Sequence, residues 1–334
     1  MNRAPFVSVA IALFNEQAVL PELLRRVGAV LDGLPGSPHH EMVLVDDGST
    51  DGTLELLSAA AAEDPRLTVV ALSRNFGQQA ALGAALDYVR GDVVIIMDAD
   101  LQDSPEAIPR LIDEYLKGFD VVYVRRVRRK EGWLLRSAYF LFYRVLAAVA
   151  TIRLPVDAGD FSLLSRRVVE RLRETRERHR YLRGLRTWVG YRQTGIEVER
   201  EARNFGRPKY SSGKLFTLAL DGLISFSVAP LRAASALGLL TIAGSFLFAL
   251  YSLYVKLVLN QSPLGFTALI LVITFMSGVQ LLFLGVIGEY LGRVYEEVKG
   301  RPPYVVDHIV RHPATIAGTQ ATSVGRTAIS DRRH

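Results

Sequence analysis

Four short apolar runs recur through the first hundred positions: Phe6–Phe14, Met42–Val45, Leu67–Leu72 and Val93–Met97. They are rich in β-branched residues and apolar on both faces, the pattern of strands buried inside a parallel sheet. Between them Glu16–Leu31, Leu54–Ala62 and Gln78–Val89 read as helices. Strands alternating with helices at this spacing predict a right-handed, mostly parallel α/β sheet. Asp120–Val124 extends the pattern by one more strand.

Beyond residue 230 the pattern changes. Ala233 to Val255 is a run of 23 residues without charge, bracketed by Arg232 and Lys256, and Leu264 to Gly288 is another of 25. At about 1.5 Å per residue each helix reaches roughly 35 Å, enough to cross a hydrocarbon core about 30 Å thick. The link Asn260-Gln261-Ser262-Pro263 is short and uncharged, so the two runs read as a transmembrane hairpin. Arg203, Arg207, Lys209, Lys214 and Arg232 precede it and Arg293, Lys299 and Arg301 follow it, which places both ends in the cytoplasm. Trp133–Ile152 and Leu215–Val228 are amphipathic, and read either as core helices or as helices lying in the membrane interface. After about Val310 the Ala/Thr/Gly/Ser-rich composition predicts disorder.

The length of 334 residues allows one large α/β domain and a second part. The absence of cysteine excludes disulfides and thiolate metal sites. The N-terminus leads straight into a strand without the layout of a signal peptide, so the first domain is expected to fold in the cytoplasm. Net charge is a modest +6, but Arg125, Arg126, Arg128, Arg129, Lys130 and Arg136 cluster with only Glu131 among them. Such a run binds phosphate, anionic lipid or nucleic acid, or forms a solvated face. No P-loop and no Gly-x-Gly-x-x-Gly turn is present.

Candidate chemistry sits at the strand ends. Asp98-Ala99-Asp100 follows the fourth strand directly, where α/β sheets bind ligands. Two carboxylates so spaced can share a hard divalent cation that in turn holds a diphosphate; a capped turn is the simpler alternative. A second acidic loop, Asp46-Asp47-Gly48-Ser49-Thr50-Asp51-Gly52-Thr53, joins the second strand to its helix.

Taken in order, Ala12-Leu13-Phe14-Asn15-Glu16, the Asp46–Thr53 loop and Asp98-Ala99-Asp100-Leu101-Gln102-Asp103 resemble the family-2 inverting glycosyltransferases of GT-A fold. The likeness is closer to their polyprenyl-phosphate branch, the dolichol-phosphate-mannose-synthase-like and bactoprenol glucosyl transferase enzymes. Gly159-Asp160-Phe161 and Arg207-Pro208-Lys209-Tyr210-Ser211 are similar to later motifs of that branch, and the likeness spans roughly residues 5 to 305. It implies a GT-A Rossmann-like mixed, mostly parallel sheet over residues 1–210, with an interfacial helix near 133–152. An interfacial helix at 211–230, two membrane helices within 231–290, a cytoplasmic segment 291–310 and a tail 311–334 complete the expected order.

The resemblance further implies Mg²⁺ or Mn²⁺ on Asp98 and Asp100, and a nucleotide slot lined by Phe14, Glu16, Asp47, Asp98 and Gln102. Asp160, with Asp100, is the implied active-site carboxylate. Arg125, Arg128, Arg207 and Lys209 are the candidates for holding an acceptor phosphate, Arg as a bidentate fork and Lys as a point charge. Two departures stand out: Ala12 replaces the usual Pro, and Ser162 replaces an Arg two residues after Asp160. The implied reaction moves a hexose from a nucleotide sugar, UDP-glucose first and GDP-mannose or a modified UDP-sugar next, to polyprenyl (undecaprenyl) phosphate. The implied setting is a bacterial cytoplasmic membrane, multi-pass, with no nucleic-acid partner and with the homotetramer the branch suggests. The rivals are a processive polysaccharide synthase and a non-catalytic membrane scaffold that binds nucleotide sugars. Arg183-Gly184-Leu185-Arg186-Thr187-Trp188 lacks the Gln-x-x-Arg-Trp spacing of the first, and the intact Asp47, Asp98 and Asp100 disfavour the second.

Overall fold

The computed structural model describes residues 4–36, 39–127, 158–175, 177, 181–199, 229–258 and 265–313. The chain divides into two compact units. The first holds residues up to 138, 152–209 and everything from 302 onward; the second holds 139–151 and 210–301.

The first unit is built on one eight-stranded sheet. Its elements in order are β1 (Val7–Leu13), α1 (Leu20–Asp32), β2 (His40–Asp46), α2 (Thr53–Glu63), β3 (Leu67–Leu72), α3 (Gln78–Tyr88) and β4 (Val93–Asp98). A 3-10 turn (Pro105–Ala107) leads into α4 (Ile108–Leu116) and β5 (Val121–Val127), followed by β6 (Ala158–Ser165), α5 (Arg166–Glu174), α6 (Leu182–Trp188) and β7 (Gln193–Glu199). The last strand, β8 (Val306–Arg311), comes after the second unit has been threaded.

Across the sheet the order is β7-β5-β6-β4-β1-β2-β3-β8. Strands β3, β2, β1 and β4 run parallel, while β6 is antiparallel to both β4 and β5 and β8 is antiparallel to β3. The mixed, mostly parallel sheet is therefore as expected. The strands β1 to β4 are continuous apolar runs because both faces are covered, with Ile11, Leu44, Val69 and Ile95 on one side and Ala10, Val43, Val70 and Val94 on the other.

Between β1 and β4 the strand order reverses, since the chain leaves β1 toward β2 and β3 and returns to its other side. Such a switch point opens a crevice at the C-terminal strand ends. In register, Ala12 of β1 lies beside Asp98 of β4, and Leu13 beside Asp46 of β2. The acidic motifs thus converge at the mouth of that crevice.

Two expectations need adjusting, and one motif gains its element. Helix α1 starts at Leu20 and not at Glu16, because Pro21 suits only the first turn and residues 15–19 form a separate turn. The Gly159-Asp160-Phe161 motif is part of a strand, β6. The boundary set for the tail at 311 falls inside β8, which ends at Arg311.

In the second unit two long helices are described, α7 (Ala229–Val258) and α8 (Phe266–Val298). Both exceed the uncharged runs from which they were expected. Among the described residues, Phe275–Val298 is long and apolar enough to cross a membrane, with mean hydropathy 1.4, and Ala236–Phe248 is a shorter apolar stretch. The interfacial helices expected at 133–152 and 211–230 lie outside the described residues, apart from the last two positions, which open α7.

Candidate active site

The loops after β1 and β2 are laced together. Asn15 N–H donates to Ser49 Oγ (3.0 Å), Thr50 N–H to Asn15 Oδ1 (2.8 Å), and Glu16 N–H to Thr53 Oγ1 (3.0 Å). Asn15 has a φ of 55°, a left-handed conformation that Asn tolerates better than most residues. Phe14 is left half-exposed beside this lacing.

Asp47 is buried, with 2% of its surface exposed. Its two carboxylate oxygens accept the N–H groups of Phe76 (2.7 Å) and Gly77 (2.9 Å), at the entrance to α3. Burial pushes its carboxyl above the ordinary range, and those two N–H groups pull it back. Gly48 makes the approach possible. Its φ is +68°, and a Cβ there would meet the Arg74 carbonyl carbon at 2.5 Å.

At the end of β4, Gln78 Nε2 donates to Asp98 Oδ1 (2.7 Å), and Asp100 Oδ1 accepts the Gln102 N–H (3.2 Å). The turn between them puts Leu101 at a φ of 53°. Strain in a non-glycine residue of this kind clusters at functional sites, where neighbouring contacts hold it. Gln102 itself is buried.

Asp160 on β6 is 8% exposed and takes a two-pronged ion pair from Arg183 of α6, at 2.7 and 2.8 Å. Burial alone would lower the Arg183 pKa, but the hydrogen bonds to Asp160 and the Asp160 charge, with smaller contributions from Tyr181 and Asp98, together raise it. The carboxylate of β4 is thus within electrostatic reach of the pair on β6. Ser162 is fully buried and donates its hydroxyl to the Asp160 carbonyl (2.9 Å). Arg125 at the end of β5 is exposed, with its guanidinium 5.7 Å from the Tyr123 ring centre.

The model for glycosyl transferase family 2 matches residues 8–173, from β1 into α5. An uncharacterized glycosyltransferase of Synechocystis is 42% identical over 91% of this chain and 95% of its own. The prophage-derived bactoprenol glucosyl transferase of Shigella flexneri is 38% identical over 90% of this chain and 97% of its own. The chain belongs to glycosyl transferase family 2. A further relative, the undecaprenyl-phosphate 4-deoxy-4-formamido-L-arabinose transferase of Aeromonas hydrophila, is 35% identical over 94% of this chain and 97% of its own.

In this family member the switch point brings together Phe14, Glu16, Asp47, Asp98, Asp100 and Gln102 on neighbouring strand ends. Asp160 and Arg125 come from the antiparallel half of the sheet. Arg128, Arg207 and Lys209 lie outside the described residues. Sequence reasoning missed Gln78, Gln79, Arg183 and Arg186. Gln79 Oε1 accepts the Leu182 N–H (3.0 Å) and so fixes the start of α6, while Gln78 orients Asp98. The doublet Gln78-Gln79 right after a glycine at a helix start was the available signal.

Arg186, three residues on from Arg183, is 3% exposed, and its Nε and Nη2 have no hydrogen-bond partner. It sits 5.4 Å from the centre of the Tyr123 ring. Burial pushes its guanidinium down to about 10, partly offset by the charge of Asp160.

Proposed function

We propose that this chain transfers a hexose from a nucleotide sugar, UDP-glucose first, to polyprenyl phosphate at the cytoplasmic face of a membrane, with inversion at the sugar. The observation that carries the reading is the pairing, at one switch point, of an acidic end with a cationic neighbour. Asp98 ends β4 with Asp100 two residues on, while α6 brings Arg183 and the buried Arg186 to Asp160 and β5 carries Arg125 opposite Glu197. A diphosphate donor and a phosphate acceptor need such a division. The names of the relatives from Shigella flexneri and Aeromonas hydrophila support bactoprenol or undecaprenyl phosphate as acceptor.

Asp98 and Asp100 fit Mg²⁺ or Mn²⁺. They offer oxygen donors only, and among the described residues no group of three His, Cys, Asp or Glu gathers around a common point. Two carboxylates with the remaining positions left to phosphate and water suit these ions. When bound, the ion neutralises charge on the departing diphosphate. The chain's own residues do the rest. Asp47 holds the 76–77 loop against the nucleotide slot lined by Phe14 and Glu16, and Gln78 and Gln102 hold the Asp98–Asp100 turn in shape. Arg125, together with Arg128, Arg207 and Lys209, holds the acceptor phosphate in line with the sugar. A phosphate oxygen already carries charge near neutral pH, so positioning matters more than a strong base.

The sheet supports an even number of membrane crossings. Strands β7 and β8 belong to one sheet, and all of 200–305 lies between them. A chain that leaves a sheet and returns to it crosses an intervening bilayer twice or not at all. If α8 spans, a second crossing between β7 and β8 accompanies it, and in a two-span anchor with both ends cytoplasmic that crossing is α7.

The test is purified protein with undecaprenyl phosphate, Mg²⁺ or Mn²⁺, and a panel of labelled UDP- and GDP-sugars. Label entering the lipid fraction from UDP-glucose supports the reading in full. Entry from another donor corrects the sugar, and nucleotide binding without transfer to any lipid overturns it. Asp100→Ala is expected to abolish metal-dependent turnover while the protein stays folded.

A further inference from the structure

Helix α6 carries more buried positive charge than its surroundings balance. Both oxygens of Asp160 are taken by Arg183. Arg186 lies deeper, with Nε and Nη2 unpartnered, and its neighbours are the face of Tyr123, Arg183 and the already committed Asp160. On the same Tyr123 ring sits Arg125, 5.7 Å from its centre. The two guanidiniums of α6 therefore both face Asp160, and Arg183 already holds both of its oxygens. A guanidinium withdrawn from water without a partner is costly, and a cation–π contact recovers only part of that cost.

The helix is nevertheless held in place by bonds that do not involve its charges. Gln79 Oε1 accepts from Leu182 N–H at one end, and Gln193 Nε2 donates to the Arg186 carbonyl (2.9 Å) at the other. Leu182 and Leu185 are buried in the core. Arg186 is thus kept in its position by the backbone and packing of α6, with its donors left over.

We propose that Arg186 is an anion-receiving residue of the active site, whose missing partner is a phosphate oxygen delivered by substrate. This inference rests on the transferase reading above and deepens it. The phosphate has two possible sources, the diphosphate of the nucleotide sugar and the phosphomonoester of the lipid, and the experiment separates them. The forked donors of Arg suit either.

The full-length protein in detergent is compared with Arg186→Met and Arg186→Lys. Three quantities are read: the melting temperature without ligand, the affinity for UDP-glucose with Mg²⁺, and the affinity for undecaprenyl phosphate. Removing an unpaired buried cation in favour of an apolar side chain of similar length is expected to leave the ligand-free melting temperature unchanged or higher. One affinity is expected to fall about ten- to hundredfold, as for loss of a charge-assisted hydrogen bond. A fall for UDP-glucose assigns the donor diphosphate, and a fall for the lipid assigns the acceptor phosphate. Arg186→Lys keeps the charge and loses the fork, so a smaller loss of the same affinity is expected.

Unchanged affinities in both variants overturn the proposal and leave the transferase reading standing. A lower ligand-free melting temperature with both affinities intact also overturns it, by making Arg186 structural. Failure of the unaltered protein to bind either ligand removes the transferase reading and this one together.

Discussion

Ser162 occupies the place where the resemblance implies an arginine, and the structure supplies the arginine from elsewhere. Arg183, 21 positions further on in the chain, reaches Asp160 with two short bonds, and Ser162 braces the same residue's carbonyl from within the strand. Arg183→Met strands a buried carboxylate. Removing one partner of a buried pair costs roughly 3–5 kcal/mol, and the third of the Arg183 side chain that stays in solvent lowers the expected cost to about 2 kcal/mol in urea unfolding. Asp160→Asn in the same chain is expected to recover part of it, and simple additivity of the two changes would contradict the pairing. Gly48→Ala tests the other end of the site. Its φ of +68° and the 2.5 Å approach to Arg74 predict a displaced 74–77 loop. Affinity for UDP, measured by titration, is then expected to drop more than thermal stability. At this scale the carboxylates were legible in sequence because they sit in short contiguous motifs. Arg183 and Gln78 were not, because their partners are joined only by the fold.

At the scale of elements, the strands β1 to β4 were legible because double burial leaves them uninterrupted by polar residues. β6 hid inside a motif, with Ser162 and Asp160 breaking its apolar pattern. β8 hid for a different reason. As an edge strand it reads Val-Asp-His-Ile-Val-Arg, with charged positions typical of an exposed edge, and it follows a long helix. It nonetheless closes β3, and Val305 C=O accepts the Ser73 N–H (3.0 Å) just before the loop that Asp47 organises. Deleting residues 302–334 is expected to expose β3, raise aggregation and weaken UDP affinity; a soluble truncation with full affinity would show that β8 is dispensable.

A second element-level prediction concerns the turn after Asp100. Burial alone would raise the Glu106 pKa, but hydrogen bonds from Arg26 and Ser104 hold it down at about 2. A folded value below the ordinary 4.5 means this stabilisation is present above pH 4.5 and is lost as pH falls toward about 2. Glu106→Gln is therefore expected to flatten the acid limb of a stability–pH curve in that window only.

For the whole molecule, the informative fact is that the last strand of the sheet lies beyond both long helices. Charge placement in the sequence assigns both ends to one side of a membrane, and closure of the sheet by β8 requires the same of any crossing made between β7 and β8. The two arguments would disagree if α8 crossed alone, because β8 would then be stranded away from β3. The chain has no cysteine, so single thiols report without background. Gln261→Cys, in the link between the helices, is expected to react with a membrane-impermeant maleimide in right-side-out spheroplasts. Glu55→Cys on α2 and Asp307→Cys on β8 are expected to react only after lysis. Protection of all three in intact spheroplasts would place both helices on the cytoplasmic side and leave the protein peripheral. Labelling of Asp307→Cys from outside while Glu55→Cys stays protected would be incompatible with the sheet itself, since β8 cannot pair with β3 across a bilayer.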